Sequence, residues 1–572
     1  MKRVVLFAFF FALLSAEVLA QKGFDKPGYR KPIDLPILLA GTFGELRPDH
    51  FHSGIDIRTN GVEGLPVYAV ADGFVSRVAV SPVGFGKAIY IDHPSTGHTS
   101  VYGHLQRFEG RIAQWAKAQQ YEKESFTINI YTKPELFAVK RGDIIGYSGN
   151  SGSSGGPHLH FELRDAPTQE ILNPLKFGYV VNDKLSPALL RLAVYPEGRH
   201  SEINGKRNTI FREAVGWGKQ HRLKNAQPIA VSGSVSLGIS AHDTQNDVPN
   251  KNGVYSMELF VNSKSVFEFK ADRFSFDETR YINSLIDYDY LQEKGARIIR
   301  TRIDPLNKLG MYGKVADNGV LSLLPGDTLY ALFVVKDFNG NESRLPFVLF
   351  GVPATLGPEK VTTDTTLLWV EAAKAKRIYT QFVEVNFPTA TFYRDQEIAV
   401  RATKMASGQY SDQITLGSTG IPAHKNFDLR IRLNSLPKDA EKLTVVLLDK
   451  GKPSPIGGKY ENGWMAVTSR KLGTFTVMAD SIKPEIKAVN FASGTKIDSL
   501  KSLIVHVKDD FTGVDKIHHT LNGKWILMDY DPKNNRLSYE VDERLLQGRN
   551  TLKIRATDKC GNFTEAEWFI LR

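Results

Sequence analysis

The chain has 572 residues, a formal net charge of +11 and a pI of about 9.2. A hydrophobic content of 42%, with 10% aromatics, fills several packed cores and excludes wholesale disorder; the length predicts three or four domains. Cys560 is the only cysteine, which excludes an internal disulfide and a thiolate zinc site, and no concentrated Lys/Arg run points to nucleic acid.

Lys2 and Arg3 precede an apolar run from Val4 to Leu14 and the small-residue site Val18-Leu-Ala20. This pattern predicts a secretory signal over residues 1–20, cut before Gln21. The run is well short of the ~20 residues that span a bilayer, so no transmembrane segment is expected after cleavage. A basic, exported, disulfide-free chain fits the periplasm or cell envelope of a bacterium, where anionic surfaces are abundant. Residues 21–36 read as a polar, Pro-rich lead-in.

A domain over residues 37–178 follows. Val67–Ala71, Gly73–Val80, Lys87–His93 and Thr99–Leu105 alternate in polarity and are separated by turn chemistry, which predicts an antiparallel β domain. Ile112, Trp115, Ala116 and Tyr121 lie near helical spacing, predicting a short amphipathic helix over 109–125, either a wall of a groove or a packing feature. A strand over Val139–Ile145, with a Lys-Arg-Gly-Asp turn, leads to the loop 148–156. That loop lacks a Gly-Lys-Ser/Thr ending and precedes a strand, so it is not a nucleotide loop.

The strand after the loop carries His158, His160 and Glu162 on one face and Leu159, Phe161 and Leu163 on the other. Upstream, His52 and Asp56 are four residues apart, and His104 ends the segment Val101-Tyr-Gly-His-Leu105. Imidazoles gathered with a carboxylate suit zinc; a catalytic zinc keeps three protein ligands and an open position for water. His50 shares a face with His52 and is a rival ligand or a rim residue.

His52-x-x-x-Asp56, Tyr102-Gly-His104 and Gly156-Pro-His158-Leu-His160-Phe-Glu162 resemble the zinc metallopeptidases of the lysostaphin/LytM type, peptidase family M23. The resemblance covers roughly residues 40–175. It implies one Zn2+ held by His52, Asp56 and His160, with His104 and His158 beside the attacking water as general base and oxyanion stabiliser, in either order. It also implies a metalloendopeptidase acting on bacterial peptidoglycan peptides. Tyr102, read as sharing a face with His104, is a candidate oxyanion donor, and Glu162 a candidate acceptor behind His160. The alternatives are an inactive relative that regulates wall amidases and a wall-binding scaffold.

The remaining chain is β-rich. Asp337-Phe-Asn-Gly-Asn341 and Asp558-Lys-Cys-Gly-Asn562 each follow a strand, and in each unit an earlier strand ends in Asp, at Asp243 and Asp509. This weak repeat predicts immunoglobulin-like β-sandwiches at 188–352, with an insertion near 270–325, and at 484–572. The Asp and Asn residues read as turn formers, with calcium ligation as the alternative. Residues 356–482 form a further β-sandwich of uncertain type. The fold class expected is thus mainly β: an antiparallel β catalytic domain with a short helical insertion, followed by β-sandwich (immunoglobulin-like) domains. The tail offers a surface for an envelope protein partner.

Overall fold

The computed structural model describes residues 28–357, 364–436, 438–497 and 500–572; the signal expected over residues 1–20 lies outside them. The front unit contains β1 (Leu39–Gly41), β2 (Ile55–Arg58), β3 (Pro66–Tyr68), β4 (Gly73–Val80), β5 (Lys87–His93), β6 (His98–Leu105) and β7 (Arg107–Phe108). Helix α1 (Gly110–Glu122), β8 (Ile128–Tyr131), β9 (Ala138–Val139), β10 (Ile144–Tyr147), β11 (His158–Asp165) and β12 (Ile171–Leu172) follow. The main sheet runs β1-β2-β11-β6-β5-β4-β8, all antiparallel, and β3-β10-β7 form a second sheet. Alternation explains the layering. Val75, Val78, Ile89, Ile91, Leu159, Phe161 and Leu163 are fully buried, and burying such side chains against one another is the main driving force for the fold.

The strand expected over Val139–Ile145 is broken. The Lys140 N–H donates to Asp143 Oδ2 at 2.7 Å and Gly142 takes a φ of +99°, so the turn divides it into β9, which joins β4, and β10, which joins the second sheet. Helix α1 buries Ile112 and Ala116 against the sheet, and Trp115 meets Phe137 edge-on.

Behind the front unit, two long strands, Ala188–Ile203 and Ile229–His242, anchor an eleven-stranded sheet. Its pairing is continuous through the region read as an immunoglobulin-like sandwich at 188–352. The strand Glu342–Gly351 pairs in parallel with both Gln220–Leu223 and Ile229–His242 and so closes the gap between layers. The insertion returns to the front: Arg273–Phe274 pairs with β12, and the Phe274 ring lies 5.3 Å from Phe43 and 5.4 Å from Phe51. One hydrophobic core therefore runs from Ile33 to Leu349.

Residues 364–482 form six- and five-stranded sheets around a second core, and the last unit packs two four-stranded sheets around a third. This last unit folds back onto the front. Lys87 pairs with Asp529 at 2.6 Å and Lys117 with Asp542 at 2.9 Å; Trp525 meets Tyr121 edge-on at 5.3 Å, and the Arg544 guanidinium lies over the Tyr121 ring. Among the described residues no helix is long and apolar enough to cross a membrane.

Candidate metal centre

Strand pairing assembles the centre. In β11, His160 lies opposite Asp56 of β2 on one side and Gly103 of β6 on the other. Gly54 allows the approach of the His52–Asp56 segment, because a Cβ there would meet the Phe161 carbonyl oxygen at 2.3 Å. Gly152, at a φ of +70°, packs its backbone on Gly84 and Gly86. That contact seats the loop carrying Phe85, whose ring stacks on His160 at 4.9 Å.

Three acceptor atoms then face one another. Asp56 Oδ1 is 3.0 Å from His52 Nε2 and 2.9 Å from His160 Nδ1, and the two nitrogens are 3.1 Å apart. His52, Asp56 and His160 are 7%, 7% and 2% exposed. The other nitrogen of each ring has an obligate acceptor. His52 Nδ1 donates to the Thr42 carbonyl at 2.8 Å, and His160 Nε2 donates to Glu162 Oε1 at 3.0 Å. With those N–H groups so placed, the inner nitrogens are the atoms that offer lone pairs to a cation once the protons they share with Asp56 leave. Converging lone pairs of this kind fit a divalent cation, and the tautomers are those that metal-ligating histidines adopt.

Two further imidazoles flank this trio. His104 Nδ1 donates to the Ser151 carbonyl at 2.9 Å and His158 Nδ1 to the Gly156 carbonyl at 2.8 Å, which leaves Nε2 of each ring for the site. His158 Nε2 is 3.3 Å from Asp56 Oδ1, and the two rings lie 4.8 Å apart. His104 reaches the site by a backbone device. Its φ of +57° turns its ring out of the alternation of β6.

That turn corrects the reading of Tyr102. Tyr102 pairs with Phe161, is fully buried on the core side, donates to no site atom, and has its hydroxyl bonded to the Val70 N–H and to Ser100 Oγ. It does not share the face of His104. His50 is exposed and bonds Asp49, outside the cluster.

The electrostatics follow from burial and contact. Burial alone would raise Asp56, but the charge of His52 and hydrogen bonds from His158, His160 and His52 hold its carboxyl well below the usual range. Burial alone would lower His160; hydrogen bonds with Asp56 and Glu162 override it and carry the ring to about 9, so a cation must displace a well-held proton. Burial, with His160 and His158 nearby, pushes His104 down to about 3. Glu162 is fully buried yet held at about 2, its burial outweighed by the Arg164 charge and the His160 bond.

Several supporting groups were not singled out in the sequence. Arg164 donates to Glu162 Oε2 through Nε at 2.8 Å, and Arg47 donates to Asp56 Oδ2 at 3.3 Å. The alternation of His160, Glu162 and Arg164 on one face was the available signal for Arg164. Thr42 and Ser151 act through backbone carbonyls and leave no such signal. The loop also touches the last unit: Lys533 Nζ donates to Asn150 Oδ1 at 3.2 Å and to the Ser154 carbonyl at 3.0 Å. A cleft of about 300 Å³ lies there, lined by Gln106, Asn150 and Ser151 on one side and by Asp529, Asn534 and Arg536 on the other.

Residues 50–121 match peptidase family M23, and residues 368–480 match the Zu5-like domain. An uncharacterized metalloprotease of Haemophilus influenzae is 34% identical over 120 residues, covering 21% of this chain and 19% of that protein. The DD-carboxypeptidase/endopeptidase Mpg of Neisseria meningitidis serogroup B is 29% identical over 150 residues, covering 24% of this chain and 28% of that protein. The chain thus spans less than a third of the length of these curated relatives. Among solved structures, the catalytic domain of the prophage-encoded protein EnpA of Enterococcus faecalis is 29% identical over 25% of this chain and 92% of that one, with a TM-score of 0.19.

Proposed function

The chain carries a peptidase family M23 domain, and on that premise we propose that it is an exported zinc metalloendopeptidase that hydrolyses peptide bonds of bacterial peptidoglycan. The observation that carries this reading is the convergence of His52 Nε2, Asp56 Oδ1 and His160 Nδ1 within 3.1 Å of one another, with both outer ring N–H groups tied to acceptors. These three atoms would hold the ion. Bound zinc supplies Lewis acidity toward the scissile carbonyl and lowers the pKa of water from near 16 toward about 7.

The chain's own residues supply the proton chemistry. His104 and His158 each present Nε2 to the same space, since their Nδ1 protons rest on the Ser151 and Gly156 carbonyls. An imidazole so placed accepts a proton from attacking water and returns it to the leaving amine; in its charged form it donates to the developing oxyanion. Glu162 and Arg164 keep His160 in its ligating tautomer. The substrate class rests on the likeness to lysostaphin/LytM-type enzymes and on relatives such as the endopeptidase Mpg. Export rests on the N-terminal pattern of Lys2, Arg3 and the apolar run.

The test is digestion of purified peptidoglycan by the full chain, with products read by mass and zinc counted per chain. The wild type is expected to hold one zinc and release peptides, and His160→Ala to lose both. A zinc-loaded wild type that releases nothing would sink the reading.

A further inference from the structure

We propose that Asp183, Asp243, Asp337 and Asn252 form a second cation site, of the all-oxygen kind that takes calcium, at the seam between the front unit and the eleven-stranded sheet. One carboxylate oxygen from each aspartate lies within 4.8 Å of the others, close enough for the three to share one cation. None of the three makes an ion pair among the described residues, and Asp243 and Asp337 are 5% and 4% exposed.

An independent feature points into the same space. Asn252 is 3% exposed and its side-chain carbonyl oxygen has no hydrogen-bond partner; Asp243 Oδ1 has none either. Asn252 and the three aspartates line a single cavity of about 30 Å³, enough for an ion and little more. A lone carbonyl and three carboxylates offer acceptors, and a water satisfies two of them at most. The absence of nitrogen and sulfur donors excludes a zinc-type site and selects a hard cation.

Turn formation accounts for only part of this arrangement. Asp337 accepts the Asn341 N–H at 2.8 Å and its side-chain amide at 2.6 Å, and Asp558 accepts the same pair from Asn562 at 2.8 and 2.7 Å. Asp480, Asp509 and Asp558 form an equivalent cluster in the last unit. There both oxygens of Asp480 already accept, from Ile482 and Thr512, and Asp509 Oδ2 alone is open, whereas in the first cluster a buried side-chain carbonyl, Asn252 Oδ1, stands open together with Asp243 Oδ1.

Gly253 and Thr42 link the site to the metal centre. The Gly253 N–H, next to Asn252, donates to Thr42 Oγ1 at 3.0 Å, and the Thr42 carbonyl fixes the His52 ring. Gln245 accepts from the Leu39 N–H at 2.8 Å and donates to the Ile37 carbonyl at 3.1 Å. A cation that orders residues 243–253 therefore braces the segment that orients His52; this consequence, unlike the site itself, rests on the metallopeptidase reading.

The test counts calcium bound to the full chain by equilibrium dialysis against calcium chloride, with near-ultraviolet circular dichroism to confirm folding. Wild type is expected to bind calcium at sub-millimolar free concentration, and Asp243→Asn to bind one ion fewer. Asn252→Ala, which keeps all three charges, is expected to weaken that ion about tenfold and serves as the deciding variant should Asp243→Asn fail to fold. His160→Ala is expected to keep the full calcium count, which separates this site from the front one. A wild type that binds no calcium at millimolar concentration, or an unchanged count and affinity in both site variants, would overturn the proposal.

Discussion

Histidines are buried in both halves of the molecule, but in two different ways. In the front unit, His52, His104, His158 and His160 each give one N–H to a fixed acceptor and turn the other nitrogen inward. In the tail, His221 and His519 are as deeply buried, at 6% and 5% exposure, yet the Nδ1 of each lacks a partner. His519 packs against Trp525, 5.6 Å between rings, as a neutral filler. Burial alone therefore does not make a histidine chemical. What distinguishes the front is that neighbouring acceptors dictate where each lone pair points.

The comparison breaks most sharply at Asp56. Asp56→Ala removes the only carboxylate among the converging atoms and is expected to abolish zinc retention and peptidoglycan hydrolysis together, read by elemental analysis and product mass. Glu162→Gln tests the tautomer argument. It leaves His160 in place but removes the charged acceptor on Nε2 and deprives buried Arg164 of its counter-charge. Zinc affinity, measured by chelator competition, should fall about 10- to 100-fold, and the chain should lose about 3 kcal/mol of stability.

His519 provides the contrast in the tail. Burial depresses it to about 4, below its unfolded value of about 6.5. A depressed histidine adds stability above the unfolded value, and that stability drains as pH falls toward the folded one. Unfolding of the full chain followed through Trp525 fluorescence should weaken between pH 6.5 and 4, by up to ~3 kcal/mol, with His519→Phe flattening the profile and leaving zinc untouched. The smallest effect is expected at Lys533, an exposed contact between the two halves. Lys533→Ala should change KM by no more than about fivefold, the worth of a surface contact, with zinc content unchanged.

Much of the centre was legible because strand alternation is local. It places His158, His160 and Glu162 on one face without any knowledge of the fold, and β4 and β5 run over the residues that their alternation marks. The reading failed where the backbone leaves that period. At His104 a positive φ carries the ring across the sheet, and Tyr102, two residues away, stays in the core. At Val139–Ile145 the Lys-Arg-Gly-Asp turn was legible, but not that it parts two strands of different sheets. Thr42 and Ser151 contribute carbonyls, which every residue has, so no residue type could flag them. The closure of the eleven-stranded sheet depends on parallel pairing by Glu342–Gly351, a contact between distant segments that alternation does not encode.

The fold-back of the last unit has a consequence for timing. All five residues of the centre lie within the first 160 of the sequence, whereas Asp529, Asn534 and Arg536, which wall the cleft opposite Asn150, are translated near its end. During synthesis the centre is thus encoded long before the far wall of the cleft beside its loop. A chain that ends in the middle unit would carry the centre with that side of the loop open, whereas a clip between the second and third cores would leave the last unit held by its contacts to Lys87, Lys117 and Tyr121.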